Sequence, residues 1–142
     1  MAADKAALLI ENNDVVGASG FTKAGDSKSV LPAFAKRAAT EDVAITLITG
    51  ASLGYTTDAD LAENNALLRR MPFMADPALR KSINDYRLKY IDQHLSETVE
   101  QLICGHIAPV DVAIIEASLI DENGNIIPTT SIGNSAFFAA QA

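Results

Sequence analysis

Three runs of apolar residues that do not alternate with polar ones punctuate the chain: Asp14-Val15-Val16-Gly17-Ala18, Val43-Ala44-Ile45-Thr46-Leu47-Ile48-Thr49, and Val110-Asp111-Val112-Ala113-Ile114-Ile115-Glu116. A strand that is apolar on both faces is covered on both sides, so these runs predict parallel strands at 14–18, 43–49 and 110–116, with Val15, Val16, 44–48 and 112–115 buried. The intervening segments have polar starts and helical spacing. Asp4 caps a helix over 5–11; Ser27 or Ser29 caps one running to about Ala39, with Pro32 tolerated in its first turn; and Thr57 caps 58–69. Asp76-Pro77 opens a helix toward Asn84, and Ser96 caps 97–104, which Gly105 ends. Asp121-Glu122-Asn123-Gly124-Asn125 predicts a hairpin turn into Ile126-Ile127, and Gly133-Asn134-Ser135 leads into a small apolar helix over 136–142. Strands alternating with helices predict an α/β domain with a mostly parallel sheet flanked by helices. The apolar end, Ala136-Phe137-Phe138-Ala139-Ala140, reads as a helix whose buried face awaits a following strand, so the domain is expected to be incomplete at its C-terminus.

Composition narrows the class without naming it. The 142 residues are one domain's worth, 49% hydrophobic and 20% charged, with no apolar stretch near the ~20 residues that span a bilayer and no signal-peptide start. No membrane partner and a cytosolic location are the expectations. One cysteine, Cys104, and two scattered histidines give neither a disulfide nor metal-ligand spacing, so no metal is expected. The formal charge of −7 is unevenly placed: all eleven Lys and Arg lie at or before Lys89, among eleven acids, while the seven acids from Asp92 to Glu122 have no basic neighbour in sequence. That balance argues against nucleic-acid binding, which needs clustered cations. The acidic third is either a solvated face or a surface that meets basic residues on a partner or on missing chain.

The chemistry concentrates in two small-residue loops that follow the first two strands. In 50–54, Gly50 and Gly54 allow backbone angles that a Cβ forbids, and Ser52 offers a hydroxyl and a backbone N–H at a strand's C-terminal end. In Gly20-Phe21-Thr22-Lys23-Ala24-Gly25-Asp26-Ser27 a phosphate-binding loop is nearly spelled, but Asp26 stands where lysine belongs and a carboxylate repels a phosphate. A loop for a small carboxylate or thioester remains, against a plain glycine turn. Glu116 at a strand end is a base or nucleophile, or else salt-bridged; His94 titrates in a site or caps a helix. Arg69, Arg70, Arg80, Lys81, Arg87 and Lys89 attract an anionic substrate or line exposed faces.

Taken in order, these segments resemble the N-terminal part of the acetyl-CoA hydrolase/transferase family, the acyl-CoA:carboxylate CoA-transferases of succinyl-CoA:acetate and propionyl-CoA:succinate type. The landmarks are Asp14-Val15-Val16-Gly17, Ser19-Gly20-Phe21-Thr22, Ala24-Gly25, Leu47-Ile48-Thr49-Gly50-Ala51-Ser52, Arg70 with Pro72-Phe73, Arg80, and Ile83-Asn84. They continue through Tyr90, Asp92, His94-Leu95-Ser96, the 111–117 strand and Ile127-Pro128-Thr129-Thr130-Ser131-Ile132-Gly133-Asn134-Ser135. Where such proteins usually carry a proline this chain has Ser27, and where they carry a glycine after the Ile-Asn pair it has Tyr86.

The resemblance implies that residues 1–142 are a partial N-terminal CoA-transferase-like domain. The family's nucleophile is a glutamate in a second half that nothing here resembles, so no catalytic residue is assigned and the chain alone is expected to be inactive. What it implies here is a substrate-binding wall made of Gly20, Phe21, Thr22, Gly25, Gly50, Ala51, Ser52 and Gly54, with Ser52 touching the carboxylate. Coenzyme A is a substrate and no cofactor is permanently bound. The implied partners are acyl-CoA, small carboxylic acids, and the missing C-terminal half or a catalytic subunit, with a homo-oligomer when complete. Two other readings stand beside it: a non-catalytic module that binds a small acid or CoA, and the small subunit of a heteromeric CoA-transferase.

Overall fold

The computed structural model describes all of residues 1–142 except Ser19, Ser52 and Tyr55. Five parallel strands form one sheet in the order β4-β3-β2-β1-β5, where β1 is Val15–Ala18, β2 Ile45–Thr49, β3 Leu67–Met71, β4 Lys89–Tyr90 and β5 Val112–Ile114. The chain builds outward from β1 through β4 and then returns to add β5 on the other side of β1. The strand order therefore reverses between β1 and β5, and in such sheets the crevice beyond the carboxyl ends at the reversal is where ligands bind. Ala117–Ile120 (β6) and Ile126–Pro128 (β7) make a separate antiparallel hairpin, whose turn has Gly124 at φ +81°.

Alternation along the strands sends side chains to two unequal layers. Val16, Ala18, Ile45 and Leu47 pack against α1 (Ala3–Ala7), α2 (Val30–Ala38), α3 (Thr57–Glu63) and α4 (Pro77–Asn84) through Ala7, Leu31, Phe34, Leu61 and Leu79. Val15, Ile48 and Met71 face the smaller layer, where Leu102 of α5 (Leu95–Ile103) and Phe138 of α6 (Ser135–Gln141) cover them. Gly17 makes that second contact possible: a Cβ there would lie 2.6 Å from the Phe138 ring. Burial of such a ring is worth roughly 1.5–3 kcal/mol.

The parallel α/β sheet, strands near 14–18 and 43–49, the Asp76-capped α4, the hairpin and the terminal helix all appear as predicted. Asp76 accepts from the Leu79 N–H at 2.8 Å. Other expectations are corrected. The first helix spans Ala3–Ala7, with Asp4 inside its first turn rather than capping 5–11. The predicted helix over 58–69 ends at Glu63; Asn65 turns left-handed at φ +53°, and Leu67–Met71 is a strand. β4 was not anticipated. α5 is capped by His94 rather than Ser96: His94 Nδ1 accepts from the Ser96 N–H at 3.4 Å, while Glu97 accepts from the His94 N–H at 3.3 Å. β5 is an edge strand, so Val112 and Ala113 are half-buried and only Ile114 is fully so. Tyr86, where the family pattern has glycine, adopts φ +58°, a region that glycine enters without a Cβ penalty.

Candidate functional site

The loops following β1 and β2 meet at the carboxyl edge of the sheet, beside the point where its strand order reverses. Thr22 forms a β-bridge with Leu53. The backbone of Lys23 lies so close to Gly54 that a Cβ there would sit 2.9 Å from the Lys23 Cα and 2.8 Å from its Cγ. Within the first loop the Phe21 N–H donates to the Ala24 carbonyl at 2.7 Å and the Ala24 N–H returns to the Phe21 carbonyl at 3.0 Å, closing a tight turn. That turn forces Thr22 to φ +53°. A β-branched residue in the left-handed region is strained, and such strain gathers where surrounding structure fixes a functional loop. Gly20 is packed under Ala24 and Gly25, and Gly25, at φ +72°, lies beneath Ser131 of the segment after the hairpin.

Of the residues expected to form the wall, Gly20, Gly25, Gly50, Ala51 and Gly54 are buried and shape the seam. Phe21, 62% exposed, and Thr22 form its outward surface. Ser52, the residue expected to touch the carboxylate, lies outside the described residues.

A buried ionic cluster carries the second loop. Arg70 on β3 is fully buried and grips Asp58 of α3 with two hydrogen bonds, Nε to Oδ1 at 2.9 Å and Nη2 to Oδ2 at 3.1 Å. Its Nη1 donates to Thr49 Oγ1 at 2.9 Å and to the Met71 carbonyl at 2.8 Å, and the Thr49 hydroxyl reaches the Gly50 carbonyl at 3.3 Å. Thr49 precedes the loop and Asp58 follows it, so one guanidinium ties both ends. Only arginine offers the planar fork this needs. In sequence Arg70 groups with basic residues that attract an anionic substrate or line exposed faces; its burial is not visible there because its partners come from β2 and α3.

The rest of that basic cluster disperses: Lys81 pairs with Asp85 at 2.6 Å on an exposed helix face, and Arg87 donates to Ser82 at 2.6 Å. Glu116 is salt-bridged, its Oε2 2.7 Å from Lys28 Nζ, and Lys28 also donates to the main-chain carbonyl of Asp26 at 2.8 Å. Asp26 itself is fully buried. Its Oδ2 accepts from the Gly54 N–H at 3.1 Å, and burial is the main influence pushing its carboxyl above the ordinary range. Among the described residues no group of His, Cys, Asp and Glu could hold a metal ion, and no helix is long and apolar enough to cross a membrane.

The sequence profile of the acetyl-CoA hydrolase/transferase N-terminal domain matches residues 1–142. The chain belongs to that family. It is 44% identical over 142 residues to the succinyl-CoA:acetate CoA-transferase of Clostridium kluyveri, covering 99% of this chain and 26% of that protein. It is 37% identical to the propanoyl-CoA:succinate CoA transferase of Escherichia coli, covering all of this chain and 30% of that one. The chain therefore spans under a third of the length of these family members. Among solved structures, the decarboxylase AibA/AibB superposes with a TM-score of 0.72 at 13% identity, over 100% of this chain and 70% of that one. An acyl-CoA transferase from Escherichia coli O157:H7 superposes with a TM-score of 0.59 at 12% identity, over 92% and 28%. At those identities the superpositions establish the fold that the family's N-terminal domain shares.

Proposed function

We propose that this family member supplies one wall of a site in which coenzyme A moves between an acyl-CoA and a small carboxylate of the acetate, succinate or propionate class. The observation that carries the reading is the seam itself: two glycine loops bridged at the sheet's carboxyl edge, beside the reversal of strand order, in a chain matched by the family along its whole length. The nucleophile in this reading is a glutamate outside residues 1–142. It attacks the thioester carbonyl and expels CoA thiolate, leaving an acyl–glutamyl anhydride. The thiolate then attacks the glutamyl carbonyl, which releases the acyl carboxylate and forms a glutamyl-CoA thioester. An acceptor carboxylate reverses the sequence, or water hydrolyses the thioester. Each step develops a tetrahedral oxyanion that fixed hydrogen-bond donors stabilise.

This chain's part is to bind and orient. Phe21 presents an apolar ring, Thr22 a hydroxyl at a strained turn, and Ser52 the donor to the carboxylate. The wall is completed by a catalytic half, joined in one polypeptide or supplied as a separate subunit, in a cytosolic homo-oligomer.

The test is co-expression with a polypeptide corresponding to the region of the relatives that this chain does not match, assayed against a panel of acyl-CoAs and acids. CoA exchange is expected. In that assembly Ser52→Ala should raise KM for the acid roughly 10- to 100-fold, the worth of one hydrogen bond to a charged group, and change KM for acyl-CoA much less. An unchanged dependence on acid concentration would remove Ser52 from the site.

A further inference from the structure

Two cations that the seam does not use lie side by side toward the other end of the sheet. Val15 of β1, Thr46 of β2, Arg69 of β3 and Lys89 of β4 are register partners and form one row across four strands. Val15 belongs to the face that α5 and α6 cover, so the rest of the row stands on that same face, beyond the reach of its apolar cluster. A bulge in β3 sets this up. Ile45 pairs with Leu67 and Thr46 with Arg69, which leaves Leu68 without a partner. The extra residue puts Arg69 on the face of Val15, while Arg70 takes the opposite one, where Asp58 holds it.

Neighbouring strands run ~4.8 Å apart, so Arg69 and Lys89 hold two positive charges at adjacent positions, where like charges repel. Among the described residues neither has an acidic partner in an ion pair. The Nε of Arg69 is buried and has no hydrogen-bond partner there. Both side chains line a hollow of about 320 Å³ together with Asn13, Thr46 and Leu68, and no carboxylate lines it. The guanidinium and the ammonium can only donate, and the amide and hydroxyl types beside them can donate as well. Such a lining suits an oxyanion and rejects a cation.

We propose that this hollow binds the phosphate group of a small molecule. A phosphate ester carries about −1.5 to −2 near neutral pH and several acceptor oxygens, so one group balances both cations and meets the guanidinium fork and the ammonium together. A single carboxylate would balance only one of them. The lining residues come from the amino-terminal parts of their strands or just before them, whereas the two glycine loops follow the carboxyl ends of β1 and β2. The site is therefore separate from the seam and does not depend on what the seam binds.

The test is titration of the full 142-residue chain with inorganic phosphate near neutral pH and at fixed ionic strength, followed by backbone amide shifts, with acetate and chloride as comparison anions. Phosphate should move the amides of Thr46, Arg69 and Lys89 along one saturable curve, and acetate and chloride should bind much more weakly. Arg69→Gln and Lys89→Gln should each weaken phosphate about tenfold or more, the loss of one hydrogen bond to a charged group. Lys81→Gln, on the exposed face of α4, should leave the affinity unchanged. In the absence of phosphate, Lys89→Gln removes the repulsion and should raise the thermal midpoint at low salt, and added phosphate should then stabilise this variant less than the wild type. Shifts centred on Gly54 and absent from Arg69 and Lys89, equal affinity for acetate, or an affinity unchanged in both glutamine variants would overturn the site. If Arg69→Gln does not fold, Lys89→Gln decides alone.

Discussion

Two buried carboxylates flank the same loop, and their surroundings differ in one respect. Asp58, at the loop's far end, has both oxygens engaged by a single guanidinium that also holds Thr49 at the near end. Asp26, across the seam, has one oxygen on a backbone amide and the other without a partner among the described residues. The first arrangement satisfies its charges internally and behaves as framework. The second leaves one oxygen without a partner among the described residues, and burial pushes its carboxyl above the ordinary range although the Gly54 N–H favours the charged form. The comparison teaches that a side-chain ion pair fixes the ends of the 50–54 loop, while main-chain contacts and a single backbone-to-carboxyl hydrogen bond join it to the 20–25 loop.

The largest expected effect comes from breaking the framework. Arg70→Met strands Asp58 as an uncompensated buried charge and should cost about 3–5 kcal/mol in urea unfolding, whereas Arg70→Met with Asp58→Leu should recover most of that loss. A double variant no more stable than the single would mean that the pair is not the unit described here. A smaller effect is expected from overfilling the seam. The Cβ of Gly20→Ala would fall 2.6 Å from the Ala24 carbonyl oxygen. The loop must shift to admit it, at about 1–3 kcal/mol, with faster amide exchange at Gly54 and unchanged protection in α3 beside Asp58. The smallest is expected at Asp26: burial holds its carboxyl above the ordinary 3.8, so in thermal unfolding at a series of pH values the wild type should lose stability relative to Asp26→Asn as pH rises, and a difference that does not vary with pH would contradict it.

Much of the fold was readable because its signals are local. The apolar run into Thr49-Gly50 announces a strand and the loop after it, and Asp76-Pro77 announces a helix. β3 was missed because Leu67-Leu68-Arg69-Arg70-Met71 reads as the polar-flanked end of a helix, and only Asp58 and Thr49 explain how an arginine enters the core. The two loops are legible from their glycines; their juxtaposition comes from the pairing of β1 with β2 in the folded sheet. Asp26 was discounted as a residue that repels phosphate; its burial against Gly54 depends on a contact between loops 28 residues apart. Local pattern carried the elements, and pairings distant in sequence carried the site's mechanics.

The central claim is that this chain shapes the site without supplying its nucleophile. It is tested most directly by incubating purified residues 1–142, alone and with the complementary polypeptide, with acyl-CoA, and reading intact masses beside turnover. The account predicts no covalent adduct and no turnover for the chain alone, and an acyl or CoA adduct confined to the complementary polypeptide when the two are combined. A stoichiometric adduct on Glu116 accompanied by turnover of the isolated chain would contradict it.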